Sequence, residues 1–411
     1  MMHRMNSVQQ SRINSLDFIR GIAILCILLI NIESFAYPNP WGSYQYGFMT
    51  DADSYVRYWV YVFAQGKFYG LLAMLFGAGL TIIIQKQPYD FAIKLSAARL
   101  LSLFLIGIVH AYLVWSGDIL YHYAVIGMIA VWIIVLGPNV TRVGIAICAT
   151  IILFFGYSKA ERTNVQYQAY QKALSVKEAA RSHEQKKVIE RWQNRTEPRV
   201  PTHRTVAEPP SLTAYWQDNF DNPQVHKGKL FYSSIFWSTL MMMLIGSQLY
   251  LWGLFSKTKF SPFAVVTLCC LIALSCYATQ ARYFHWLLSP HTPVLSYSKQ
   301  LVIVFNRELQ AIVYLVLLSL IYNRWLYRFS LLGVINTIGR FALSNYLLQS
   351  VVLMMIFYGV GLHNSLSRSE LVLLWGVMVV VQLLLNVLYG HFCKVGPVER
   401  IWRKLTIKLH S

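Results

Sequence analysis

Charge is what this chain has least of. Only 13% of its 411 residues are Asp, Glu, Lys or Arg, against about 25% in an ordinary soluble domain. Acid is the scarcer sign, with 17 Asp and Glu against 36 Lys and Arg and a net charge of +19. The six cysteines, Cys26, Cys148, Cys269, Cys270, Cys276 and Cys393, lack zinc-site spacing. They read as small buried hydrophobes rather than disulfides, and no metal centre is expected. Walker loops, dinucleotide fingerprints and G-x-S-x-G elbows are absent. That argues against ATP-driven transport by this chain alone and against any tightly bound cofactor.

What the chain has instead is apolar length, with 56% of residues hydrophobic. The apolar runs predict an all-α integral membrane protein, a polytopic bundle of about ten helices over roughly 16–36, 57–84, 99–116, 118–137, 140–158, 231–255, 261–279, 299–322, 331–361 and 371–393. A run near 20 residues matches a hydrocarbon layer about 30 Å thick. Period-two alternation is missing, so a lipid-facing β-barrel is not expected. The second and ninth runs are long enough to be tilted or broken. Asp17 and Arg20 interrupt the start of the first run, and no small-residue cleavage site follows it, so this span is expected to be retained.

Orientation follows from the cations. With both ends in the cytoplasm, fifteen Lys and Arg fall in inner joints and four, Arg57, Arg282, Lys299 and Arg368, in outer ones, the sense of the positive-inside rule. The chain then divides into a five-helix half (1–158), an extracytoplasmic polar loop (159–230) and a second five-helix half with a basic cytoplasmic tail (231–411). Residues 165–195 are expected to form an exposed amphipathic helix, and 198–210 a linker. The basic charge is accounted for by topology and anionic lipid, not nucleic acid.

Polar groups inside apolar runs are costly, so they face partners or a cavity. On the first run, Asp17, Arg20 and Asn31 share a face. Lys67 lies about 15 Å along the second run from Arg57 and calls for a nearby anion. Arg99 and His110, eleven residues apart, share a face of the third. Asp118 follows eight residues after His110 across a tight turn, where it can cap the next helix and reach the imidazole. Arg307 and Glu308 are adjacent and so point apart. Asn345 and Gln349 share a face, and Arg340 is set either to bind an anion or to pair with Glu308. The excess of cations favours an anionic ligand. For most of these residues, packing and ion pairing are the competing structural role.

Several motifs in order resemble the YeiB-type family of bacterial membrane proteins, a domain-of-unknown-function family. They are Leu16-Asp17-Phe18-Ile19-Arg20-Gly21 with Asn31, then Gly66-Lys67-Phe68, Leu75-Phe76-Gly77-Ala78-Gly79, and Gly107 with His110. Gly117-Asp118-Ile119-Leu120 follows, then Gly339-Arg340 with Asn345-Tyr346-Leu347-Leu348-Gln349-Ser350, Tyr358-Gly359, and Gly396-Pro397 with Glu399 and Arg403. That family is similar to transmembrane acyltransferases, which share the Asp-x-x-Arg-Gly opening and use a histidine. The resemblance implies a bacterial cytoplasmic membrane location and transfer of an acyl group from cytoplasmic acyl-CoA to an extracytoplasmic acceptor such as a sugar. His110 would act with Asp118, and Arg20, Arg99 and Arg340 would hold the anionic donor. A second reading is a secondary transporter or flippase for an anionic small molecule or lipid. A third is a non-catalytic assembly partner.

Overall fold

A computed structural model describes residues 13–38, 49–196, 210–221, 234–256, 262–287, 304–324, 326, 329 and 333–410. Every regular element among them is helical. Seven helices are long and apolar enough to cross a membrane, and Leu120–Val135 and Val266–Ala278 are shorter apolar helices.

Helix α1 (Asn14–Ala36) is the central post, with 78% of its apolar stretch buried. The second run is broken, as its length allowed, into α2 (Asp51–Phe63) and α3 (Lys67–Lys86). The break falls at Gly66, whose φ of 81° suits a residue without Cβ. Helices α4 (Tyr89–Leu113) and α5 (Leu120–Val135) form a tight hairpin. Helix α6 (Pro138–Leu174) starts on proline and runs well past the apolar stretch. Then come α7 (His183–Thr196), α8 (Leu212–Asp221), α9 (Ser234–Leu251), α10 (Pro262–Leu287) and α11 (Asn306–Arg324). The ninth run is broken at Phe341 into α12 (Gly333–Arg340) and α13 (Ala342–Met354), the latter ending in a π-helical turn. Helix α14 (Arg368–Phe392) opens on a Ser367–Glu370 capping box, and α15 (Pro397–His410) is amphipathic. Helices α6 and α14 are peripheral, with only 17% of their apolar stretches buried.

Two junctions show why the helices sit so close. A Cβ on Gly77 would fall 1.8 Å from the Met243 carbonyl oxygen, and one on Gly246 1.9 Å from that of Met74, so α3 and α9 touch backbone to backbone. A Cβ on Gly339 would lie 1.7 Å from the Asp17 carbonyl oxygen, which locks α12 onto the first turn of α1. Small residues do this in membranes because lipid removes the hydrophobic drive between helices, leaving contact itself.

The structure corrects several expectations. The 165–195 stretch is not one helix: α6 ends at Leu174, a short turn follows at Glu178–Ala180, and α7 folds back so that Trp192 packs on Tyr167 and Tyr170. Residues 198–209 of the expected linker lie outside the described residues. All six cysteines are free, but only Cys148 is fully buried, while Cys269, Cys270 and Cys276 face outward from α10. Arg57 and Arg368, expected in solvated outer joints, are 3% and 1% exposed inside the bundle. Of the other orienting cations, Arg4, Arg12, Lys257, Lys259, Lys299 and Arg328 lie outside the described residues.

Candidate functional site

The α4–α5 hairpin carries the most chemically pointed geometry. The backbone of α4 closes on the His110 carbonyl, and the chain turns through Ser116 and Gly117 to Asp118. Asp118 Oδ2 accepts the amides of Leu120 and Tyr121 at 2.8 and 3.1 Å, filling donors that the start of α5 leaves unpaired. Its other oxygen lies 2.8 Å from His110 Nδ1. A carboxylate accepts, so Nδ1 carries the hydrogen, and in the neutral ring Nε2 keeps its lone pair. Tyr346 of α13 donates its hydroxyl to the same Asp118 oxygen at 3.3 Å, with ring centroids of His110 and Tyr346 5.4 Å apart. Both His110 and Asp118 are buried, and His110 Nε2 has no hydrogen-bond partner among the described residues. A buried imidazole oriented on one nitrogen and open on the other is the arrangement of a general base.

The turn end of this hairpin is covered. Tyr215 and Trp216 of α8 donate to the carbonyls of Val114 and Leu113 at 2.7 and 2.9 Å, taking up acceptors left at the end of α4. Tyr215 also stacks on Tyr358, with centroids 3.9 Å apart.

A second group gathers the basic residues near the opposite end of α4. Arg20 pairs with Asp17 at 3.1 Å. Arg99 lies over the Trp402 ring at 4.3 Å, and Trp402 donates to the Arg99 carbonyl. Arg20 and Arg403 are both within electrostatic range of Arg99. Arg340 follows directly on the Gly339–Asp17 contact, donates to Thr337 at 2.9 Å and lies over Phe341. Glu399 of α15 accepts the amides of Leu343 and Ser344 and bonds the Ser344 hydroxyl, pinning α15 to the start of α13. The resemblance had pointed to Glu399, and these contacts show what it holds.

Lys67 and Arg307 meet at the α2–α3 break. The break leaves carbonyls of α2 without helical partners, which is costly in an apolar interior. Lys67 Nζ donates to the Tyr61 carbonyl at 2.5 Å, Gln310 to that of Val62 at 2.9 Å and Tyr314 to that of Phe63 at 2.9 Å. The Arg307 stem crosses Gly66, where a Cβ would come within 2.7 Å. Lys67 therefore caps a helix end as a cation suited to its dipole. Glu308 takes the Ser238 hydroxyl on Oε1, while its Oε2 has no partner and no ion pair joins it to Arg340 among the described residues.

Asn345 and Gln349 belong to an amide network that the sequence did not reveal in full. Asn345 exchanges hydrogen bonds with Asn386 at 3.0 and 2.8 Å and accepts from Gln382 at 2.8 Å, and Gln349 donates to Gln382 at 2.8 Å and to the Ile24 carbonyl. Asn31 is buried on α1. Also missed was a buried ionic triad: Glu33 Oε2 lies 3.1 Å from both Arg57 and Arg368. No spacing rule joins residues 24 and 335 positions apart. Among the described residues no cluster of His, Cys, Asp and Glu could hold a metal. A cavity of about 240 Å³ lies between α6 and α9, lined by Arg142, Ile145, Ile245, Gln248, Leu249 and Trp252, not by the hairpin.

Comparison with known proteins places this architecture. Residues 249–408 match a family model described as "Protein of unknown function (DUF418)". The uncharacterized protein YeiB of Escherichia coli (strain K12) is 30% identical over 414 residues, covering 96% of each chain. The uncharacterized protein YxaH of Bacillus subtilis (strain 168) is 23% identical over 429 residues, covering 97% of this chain and 95% of its own. No solved structure matches. Nearly end-to-end similarity at this level means that the chain belongs to the YeiB-type family of membrane proteins, with the DUF418 region in its C-terminal part.

Proposed function

We propose that this protein is a transmembrane acyltransferase of the bacterial cytoplasmic membrane, passing an acyl group from cytoplasmic acyl-CoA to an extracytoplasmic hydroxyl or amine. The observation that carries the reading is the buried His110–Asp118 pair with Nε2 left open. In this scheme ten spans place both chain ends in the cytoplasm and residues 159–230 outside. The basic group of Arg20, Arg99, Arg340 and Arg403 then lies toward the cytoplasm, where it attracts the phosphates of the donor. His110 is about 16 Å from Arg99 along the same face of α4. A donor held by its phosphates at one end thus extends along this face to the imidazole.

The acceptor gives its proton to His110 Nε2, and its oxygen or nitrogen attacks the thioester carbonyl. The C–S bond breaks, and the imidazolium returns the proton to the departing CoA thiolate. Asp118 holds the ring and stabilises its charged form. Asp17, Lys67 and the amide network maintain the helix positions around this path.

The test is acyl transfer from radiolabelled acetyl-CoA by the full chain in nanodiscs, with an envelope extract as acceptor. His110→Ala should lower the rate by about 10²–10⁴-fold while the protein elutes as a single folded species. Wild-type rates in that variant would overturn the catalytic role. Transport of an anionic solute is the second reading, in which Glu308, whose Oε2 has no partner among the described residues, relays the coupled proton. Uptake into proteoliposomes without any acyl donor, lost in Glu308→Gln, would replace the enzyme with a transporter.

A further inference from the structure

His122 carries the inference. It lies on α5 one residue beyond Tyr121, whose amide Asp118 already holds. The side chain is 4% exposed, yet neither Nδ1 nor Nε2 has a hydrogen-bond partner among the described residues. One of those nitrogens is a donor and the other an acceptor. Burying both unpaired is unfavourable, and an apolar residue of similar volume would avoid the penalty. The surroundings are polar on one side. The Tyr69 ring lies 6.2 Å from the imidazole, its hydroxyl bonds Thr239 at 2.9 Å, and Tyr123 donates to the Tyr69 carbonyl. Tyr69 is also within electrostatic range of Asp118 and of Tyr346, the two residues that flank His110. Tyr69 thus lies beside His122 and within electrostatic range of the two groups that touch His110, and Asp118, which caps the start of α5, lies four residues before His122.

We infer that His122 and His110 face one acceptor-binding site, in which His122 hydrogen-bonds a hydroxyl-bearing acceptor and His110 removes its proton. The inference rests on the acyltransferase reading for the proton transfer but not for the shared site. Uncharged hydroxyls suit the site because His122 can both donate and accept, and the neighbouring tyrosine and threonine hydroxyls extend the same chemistry. The cations lie elsewhere, at the donor end and at the α2–α3 break.

The test uses diethyl pyrocarbonate on the folded full chain in nanodiscs, with each histidine read by peptide mass spectrometry. His110 and His122 should both be carbethoxylated. Glycerol at molar concentration, a minimal hydroxyl probe, should slow both labellings together. His363, whose Nδ1 is 2.8 Å from the Phe35 carbonyl, serves as the internal reference. In His122→Leu the thermal midpoint should hold or rise, while glycerol should lose its protection of His110. Absence of label at His122, or label that glycerol does not slow, would overturn the shared site. So would a His122→Leu protein in which glycerol still protects His110. If the wild type transfers no acyl group, the enzymatic reading fails, and the labelling still decides the site. If transfer occurs, His122→Leu should raise the KM for the acceptor about tenfold or more, the loss of one good hydrogen bond, with kcat changed less than by His110→Ala.

Discussion

Two of the buried polar centres among the described residues are built on opposite rules. Around Glu33, two guanidinium groups converge on one carboxylate oxygen, the Tyr37 ring lies under Arg368 at 5.1 Å, and Asp53 ties Ser369 to the start of α2. Around His110, one carboxylate is satisfied by a ring, a hydroxyl and two amides, while His110 Nε2 and both ring nitrogens of His122 have no hydrogen-bond partner among the described residues. The first centre uses charge to join α1, α2 and α14. The second withholds hydrogen bonds that a purely structural element would make. Charge alone is thus a poor guide to chemistry here, and unfilled hydrogen-bonding capacity is the better one.

Breaking the contrast should show it directly. Removing the shared carboxylate of the triad with Glu33→Ala leaves two buried arginines facing each other, and should lower stability by about 3–5 kcal/mol. Thermal unfolding in detergent would measure this. Transfer per folded molecule should be almost unchanged, so a variant of normal stability would refute the structural assignment. Next in size is Gly77→Val, which forces a side chain into the Met243 backbone and should cost about 1–3 kcal/mol or more, read as a lower midpoint and poor extraction as a monodisperse species. The smallest effect belongs to Asn386→Leu, which opens the amide network and should cost about 1 kcal/mol. It should spare transfer, and a complete loss of activity there would move the catalytic boundary across to α14.

Much of this was legible in the residues. Apolar length announced the helices, and the excess length of two runs left room for a tilt, a break or an interfacial extension, of which the structure shows the break. The eight-residue step from His110 to Asp118 across Ser116-Gly117 was legible because a tight hairpin leaves few other places for the carboxylate. The triad was not legible, since Glu33 and Arg368 sit near helix ends and Arg57 at the start of its apolar run, where a charge ordinarily meets water. Gln382 and Asn386 were hidden in a run whose mean hydropathy masks single amides. His122 was passed over because the sequence cannot show that a histidine lacks partners.

Asp118 serves two employers at once, the first turn of α5 and the ring of His110. A rigid coupling follows: any sliding of α5 along its axis drags the imidazole with it. The loop helix α8, fastened to the neighbouring carbonyls of α4, sits on the same lever. A displacement of that helix would therefore be passed to the hairpin that aims the nitrogen, without any contact with the ring.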